Sequence, residues 1–391
     1  MSRYSNIAPQ CLRATDLTAR NIACVFCSGT LVDHKNTLRF DVARGVAALV
    51  VLVAHVAQAF AWRLYGGGSW LEMMSGWAAR FAVLIFFLLS GRLIVASIAS
   101  NISRNGYFDA SGYILSRIAR LYPPLLFAVA LAVGAVTIVH IFDLPGANGT
   151  PLGDLRASGL HFTAGELMRS LLLYNGMTVV DGPLWTLYIE VKLYVSAGGA
   201  AIFAFSRAPV ARLVGAAFVL FAVLTAGEHY RFWFFASVWC LGAITNLPAA
   251  HKAKIFLPIA AAAILLCYAA PTFSDYIDSP RGSLVQVISC VAIAYAFLLR
   301  NWAELHFPDW LLKSGDFSYT LYVSHFPVLA VGLSLSLQID QTSVVVAVIA
   351  ALCSAAAALL LAFIGAPLLE NTAVTKRILK RWLTAEPSWA A

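Results

Sequence analysis

The sequence predicts an all-α, polytopic integral membrane protein with about ten transmembrane helices, and three observations carry that reading. Of its 391 residues 60% are hydrophobic and 12% charged, and the mean hydropathy of +0.78 lies well outside the range of soluble globular chains. The apolar residues gather in runs of roughly twenty, long enough for a helix to cross a bilayer at about 1.5 Å per residue. Lys and Arg, finally, collect on one side of those runs.

Taken in order, the runs are 40–62, 76–99, 122–142, 183–206, 213–227, 232–248, 255–271, 284–300, 317–338 and 343–367. The first carries the ionisable residues Asp41, Arg44 and His55, and the second Arg80 and Arg92 around a small Ser90-Gly91 pair that permits close helix approach. The third opens on Tyr122-Pro123-Pro124, prolines suiting a first helical turn. Pro183 opens the fourth, which carries Glu190 and Lys192. The fifth to eighth are shorter apolar runs parted by polar, turn-rich segments. The ninth starts in a Ser/Tyr-rich stretch, and the tenth has no charge from Ser343 to Pro367.

Of the 27 Lys and Arg residues, four lie inside spans, eighteen on the side shared by both termini, and five (Arg63, Arg156, Arg169, Arg231 and Arg281) on the other. The asymmetry predicts a multi-pass protein of the cell's inner, cytoplasmic membrane with both termini cytoplasmic. The net charge of +8 then reads as topology, with membrane lipid as its partner and no nucleic acid. Residues 1–36 contain no apolar core of signal-peptide length, so the first span is expected to act as its own signal. The expected organisation is a cytoplasmic tail over 1–38, one membrane domain over 39–370, and a basic cytoplasmic tail over 371–391. Cys24 and Cys27 have no second pair, and four other cysteines lie in spans, so no metal site is expected. The longest internal loop, about 143–182, is turn-rich at first, while Thr163–Tyr174 has the leucine spacing of an interfacial helix.

Four constellations could carry chemistry. Arg44 and His55 stand eleven residues apart, which returns to nearly the same helix face and separates them by about 16 Å along the axis. Asp41 lies three residues from Arg44, and an ion pair between them would explain both without any function. His55 has no obvious local partner, and a buried imidazole can be a general base or simply a hydrogen bond between helices. The second constellation is Arg117 and Arg120 at the mouth of the third span. It suits a bidentate phosphate clamp, or equally an anchor among lipid headgroups. In the third, Glu190 and Tyr194 share a face below Trp185. The carboxylate there can orient an imidazole, bind a sugar hydroxyl, neutralise Arg44, or belong to a structural ion pair. The fourth is Tyr319, Tyr322 and His325, a polar-aromatic stripe that either lines a cavity or packs with satisfied hydroxyls. Arg92, near the cytoplasmic end of its span, reaches a phosphate or snorkels.

Together these phrases resemble the acyltransferase-3 family of integral-membrane acyltransferases. The likeness rests on Phe40-Asp41-Val-Ala-Arg44-Gly45 with His55, on Phe86-Phe87-Leu-Leu-Ser90-Gly91, and on Arg117 to Pro123. It continues in Leu184-Trp185 through Glu190 and in Ser318 through Pro327, spanning about 39–370 in family order. Many relatives carry an aromatic residue where this chain has Arg92. The resemblance implies transfer of an acyl group, usually acetyl, from acetyl-CoA as a co-substrate, with no permanently bound cofactor. The acceptor it implies is a carbohydrate hydroxyl on a surface polysaccharide, lipopolysaccharide or signalling oligosaccharide. It further implies His55 as the catalytic histidine and Arg44, Arg117 and Arg120 as acyl-donor residues. Glu190 is expected to assist the chemistry and Arg92 the donor. Trp185, Tyr194, Tyr319, Tyr322 and His325 are expected to line the acceptor's cavity. The residue pattern alone also admits a glycan or lipid-linked sugar transporter or flippase, which would use buried charge and an aromatic stripe in the same way. The lack of an evident internal repeat weighs against that alternative.

Overall fold

A computed structural model of the chain describes residues 34–65, 69–206, 208–225, 229–246 and 307–384. The described residues are mostly helical, with one isolated two-residue bridge, Leu152 to Arg156, and no strand. In chain order they form α1 (His34–Val56), a π-helical stretch (Ala57–Ala61), α2 (Trp62–Tyr65), α3 (Trp70–Asn105), α4 (Ala110–Ile141), α5 (Ala164–Leu171) and α6 (Leu184–Phe205). After these come α7 (Pro209–Leu224), α8 (His229–Ile244), α9 (Asp309–Ser314), a 3-10 turn (Gly315–Phe317), α10 (Ser318–Ile339), α11 (Val344–Leu369) and α12 (Thr372–Thr384).

Among the described residues, six segments are long and apolar enough to cross a membrane: Phe40–Ala61, Trp70–Asn105, Ala110–Ile141, Leu184–Phe205, Asp309–Ile339 and Val344–Leu369. The expected spans 213–227 and 232–248 correspond to the shorter apolar helices α7 and α8. Those at 255–271 and 284–300 lie outside the described residues. The boundaries of α3 and α4 correct the sequence reading. Both helices run well beyond their apolar cores, because a helix continues for as long as its polar ends find partners, whereas an apolar run marks only the part that needs hydrocarbon. Pro123 and Pro124 accordingly lie inside α4 and do not open it. Helices in apolar surroundings tolerate such prolines where neighbouring groups satisfy the released carbonyls.

The chain divides into two compact units. The first takes in 34–40, 83–113 and 189–246 of the described residues. Its helices cross at glycines. A Cβ on Gly91 would stand 1.9 Å from the Trp239 carbonyl oxygen, and one on Gly242 would stand 1.9 Å from that of Leu88, so α3 and α8 touch backbone to backbone. Gly199 and Gly215 form a similar pair between α6 and α7, each reaching the other's carbonyl oxygen at 2.7 and 2.6 Å. The ring of Phe87 packs 4.5 Å from that of Phe235.

The second unit covers 41–82, 114–188 and 307–384 of the described residues. Its core is α10, the most buried of the long apolar helices, while α11 turns Val345, Leu352, Phe363 and Leu368 outward as a lipid-facing helix does. Close approach again depends on small residues. Gly45 meets Ser314, Gly315 meets Asp41, and Gly332 meets Ser354. The loop after α4 is wound tightly and held to α10 by a hydrogen bond from Ser334 to the Pro145 carbonyl. Gly159 is required there: its φ is +74°, and a Cβ would fall 2.6 Å from two carbonyl oxygens. The expected interfacial helix is α5, opened by a reciprocal cap in which Thr163 and Glu166 satisfy each other's backbone N–H groups. The Thr163 N–H and, after it, the Thr163 hydroxyl both donate to the Glu166 carboxylate and hold it below its ordinary range. α12 is amphipathic, with Val374, Ile378 and Trp382 exposed along one stripe beside Lys376, Arg377, Lys380 and Arg381.

Candidate active site

α1 carries both marked residues of the first span into the second unit. At one end, Arg44 is enclosed. Its Nε donates to Ser318 Oγ at 2.9 Å, one terminal nitrogen donates to the Gly315 carbonyl at 2.9 Å, and the same nitrogen pairs with Asp41 at 3.2 Å. Asp41 is therefore the partner that neutralises Arg44, one of the two alternatives open on the sequence. The tight Gly45 and Gly315 contacts set this geometry, since any side chain there would push the 3-10 turn off α1. Arg120 and Glu370 lie within electrostatic reach of Arg44. Glu370 accepts from the Thr320 N–H at 2.9 Å and the Thr320 hydroxyl at 2.8 Å. Burial pushes its carboxyl up, against those two hydrogen bonds and the charges of Arg44 and Arg120. Arg117 is half-buried one turn before Arg120 on α4. Asp316 also lies within electrostatic reach of Arg44, so the carboxylates around it are Asp41, Glu370 and Asp316, while the Arg44 and Arg120 guanidiniums are donors of the kind that hold an anion bidentately.

At the other end of α1 stands His55, half-buried. Its Nδ1 lies 2.8 Å from Gln58 Oε1. With that amide oxygen accepting, Nδ1 carries the proton and Nε2 presents its lone pair. The His325 ring stacks near it, centroids 5.3 Å apart and tilted 31°, and the Phe326 ring meets it edge-on at 5.3 Å. His325 is 1% exposed, and its Nδ1 donates to the Leu321 carbonyl at 2.9 Å. Its Nε2 has no hydrogen-bond partner. Tyr322, one turn back, shares a 2.7 Å hydroxyl-to-hydroxyl hydrogen bond with Thr186. Tyr319 is half-buried on the same helix, and Trp185 is half-buried next to Thr186.

The loop after α4 supplies the rest of this end. Arg156 lies over the Phe326 ring, its guanidinium carbon 4.5 Å from the centroid, and within electrostatic reach of His55. Its N–H groups go to backbone carbonyls of Leu155 at 2.8 Å, Thr178 at 3.1 Å, and Val179. Burial pulls its guanidinium down to about 10, against the opposing charge of Asp181. Asp181 is fully buried and neither carboxyl oxygen has a hydrogen-bond partner. Burial pushes that carboxyl well above the usual range, and Arg156 pulls it back. An unsatisfied buried polar group costs about 1–3 kcal/mol, more when charged. Gly182 leaves room for the cluster, since a Cβ there would stand 2.7 Å from the Arg156 guanidinium.

The remaining expected site residues belong to the first unit. Tyr194 donates its hydroxyl to Glu190, receives a 3.4 Å hydrogen bond from Ser90, and offers its backbone carbonyl to the Tyr113 hydroxyl at 3.0 Å. The Arg92 guanidinium is engaged by the Thr245 hydroxyl at 2.8 Å and carbonyl at 3.1 Å, and lies 4.7 Å above the Phe40 ring. Sequence reasoning passes over Gln58, Arg156, Asp181 and Glu370. Gln58 carries one signal, an amide three residues beyond a buried histidine, whereas Arg156 reads in sequence only as a loop charge.

Residues 37–366 match the model of a family described as an acyltransferase domain. Over 163 residues the chain is 26% identical to a Rhizobium radiobacter protein called protein 2 in the picA locus, a match covering 39% of this chain and 75% of that relative. No solved structure matches the chain significantly.

Proposed function

Because the chain belongs to the acyltransferase-3 family, we propose that it moves an acetyl group from cytoplasmic acetyl-CoA to a hydroxyl of a carbohydrate at the outer side of the inner membrane. The observation that carries this reading is the His55–Gln58 pair, an imidazole held with one nitrogen protonated and the other presented as a base. Arg44 and Arg120 within electrostatic reach of each other, with Arg117 one turn before Arg120, support phosphate binding at the opposite end of the same helix. The pantetheine arm then runs inward over the roughly 16 Å between Arg44 and His55.

His55 Nε2 takes the proton of the acceptor hydroxyl as its oxygen attacks the thioester carbonyl. The carbon–sulfur bond breaks, and the resulting imidazolium returns that proton to the departing thiolate. The products are the carbohydrate ester and free CoA thiol, and the histidine ends as it began. The test uses purified protein in lipid nanodiscs with radiolabelled acetyl-CoA and an extract of cell-envelope glycans. Label should pass into glycan from the wild type and not from His55→Ala. Absence of label from the wild type, or undiminished transfer by the variant, overturns the assignment.

A further inference from the structure

We propose that Asp181 and His325 form the acceptor subsite, taking hydrogen bonds from neighbouring hydroxyls of a neutral polyhydroxylated ring while His55 takes the proton of the hydroxyl to be acylated. The inference rests on the acyl-transfer reading given above and adds to it Asp181 and the way the acceptor's neighbouring hydroxyls are held.

Both Asp181 oxygens are buried without a hydrogen-bond partner, and so is His325 Nε2. With Nδ1–H committed to the Leu321 carbonyl, that Nε2 can only accept while the ring is neutral. His55 Nε2 is a third acceptor, made so by Gln58. Phe326 links the surroundings of all three: its ring centroid lies 5.3 Å from that of His55, 6.4 Å from that of His325 and 4.5 Å from the Arg156 guanidinium, and its edge borders Gly182 beside Asp181. Arg156 spends its N–H groups on backbone carbonyls and acts on Asp181 by charge alone.

A ligand that satisfies such a set must bring donors. A sugar brings several hydroxyls at ring spacing and an apolar ring face for Phe326. Phosphate or carboxylate would set acceptor against acceptor, and an ammonium would meet the Arg156 charge. A metal ion does not fit either, since among the described residues no three His, Cys, Asp or Glu side chains converge closely enough to hold one.

The test measures acetyl transfer to a titrated cell-envelope glycan extract by full-length protein in nanodiscs, comparing wild type with Asp181→Asn and His325→Phe. Each loses an acceptor, so the glycan concentration at half-saturation should rise about 10- to 100-fold while the KM for acetyl-CoA stays fixed. Asp181→Glu, which restores the carboxylate, should recover part of the loss. Thermal melting shows that a variant is folded, and Asp181→Asn should melt no lower than wild type. An unchanged glycan half-saturation in Asp181→Asn overturns the subsite, as does an equal rise in both KM values or a lowered melting point. Failure of the wild type to label glycan at all overturns the acyl-transfer reading instead.

Discussion

At the residue scale, His55 and Arg44 are legible because an ionisable side chain in an apolar run must have a reason to be there. Their surroundings are not, because Gln58 and Asp181 are ordinary polar residues until the fold buries them. His55→Ala should lower transfer by about 10²–10⁴-fold, the usual worth of a positioned general base, measured as single-turnover acetyl transfer. Gln58→Leu keeps the imidazole but removes the acceptor that fixes its tautomer. A fall of about tenfold in kcat with unchanged KM for acetyl-CoA is expected, and equal loss in both would make Gln58 a donor contact. Asp181 gives a pH signature. A carboxyl whose folded pKa lies above its unfolded value, near 3.9, holds its proton more tightly when folded. Its stabilisation is therefore complete below that value and is lost progressively as pH rises toward the folded pKa. Asp181→Asn carries no such loss, so its melting temperature should gain on wild type as pH is raised from 4 to 8; a difference that does not vary with pH would contradict the buried carboxyl.

At the scale of elements, the apolar runs locate the membrane helices but not their ends. Hydropathy reports where hydrocarbon is needed and is silent on how far a helix continues beyond it. This is why α4 starts at Ala110, well ahead of Tyr122, and contains two prolines. The glycine crossings are partly visible, as Ser90-Gly91, but their partners Trp239 and Gly242 cannot be paired from sequence. Gly45→Ala should displace Ser314 and Gly315 and with them the carbonyl that holds Arg44. The KM for acetyl-CoA should rise severalfold, with little change in the glycan concentration at half-saturation. At α5, Thr163→Ala removes half of the capping box and should cost about 0.5–2 kcal/mol of local helix stability, read as faster amide exchange over 164–171.

At the scale of the molecule, charge asymmetry gives a direction that helix packing cannot give, since side chains pack identically whichever end of a helix faces the cytoplasm. In a cysteine-free background, a cysteine at Asn148 should react with an impermeant maleimide on intact spheroplasts, and one at Lys376 only after permeabilisation. The reverse pattern would invert the assigned orientation. A last consequence concerns the five-residue π-helical stretch that begins two residues past His55. A π turn winds more residues into each turn than an α-helix does, so it behaves as a splice that shifts the phase of the downstream residues and leaves the upstream ones in place. Deleting Ala59 would remove the splice and return the stretch around Gln58 to α-helix with Trp62 left in place, whereas the same deletion in an uninterrupted α-helix would turn everything beyond it by about 100°. The candidate site thus sits beside a turn that can take up or release one residue locally, where an uninterrupted α-helix would have to rotate everything beyond it.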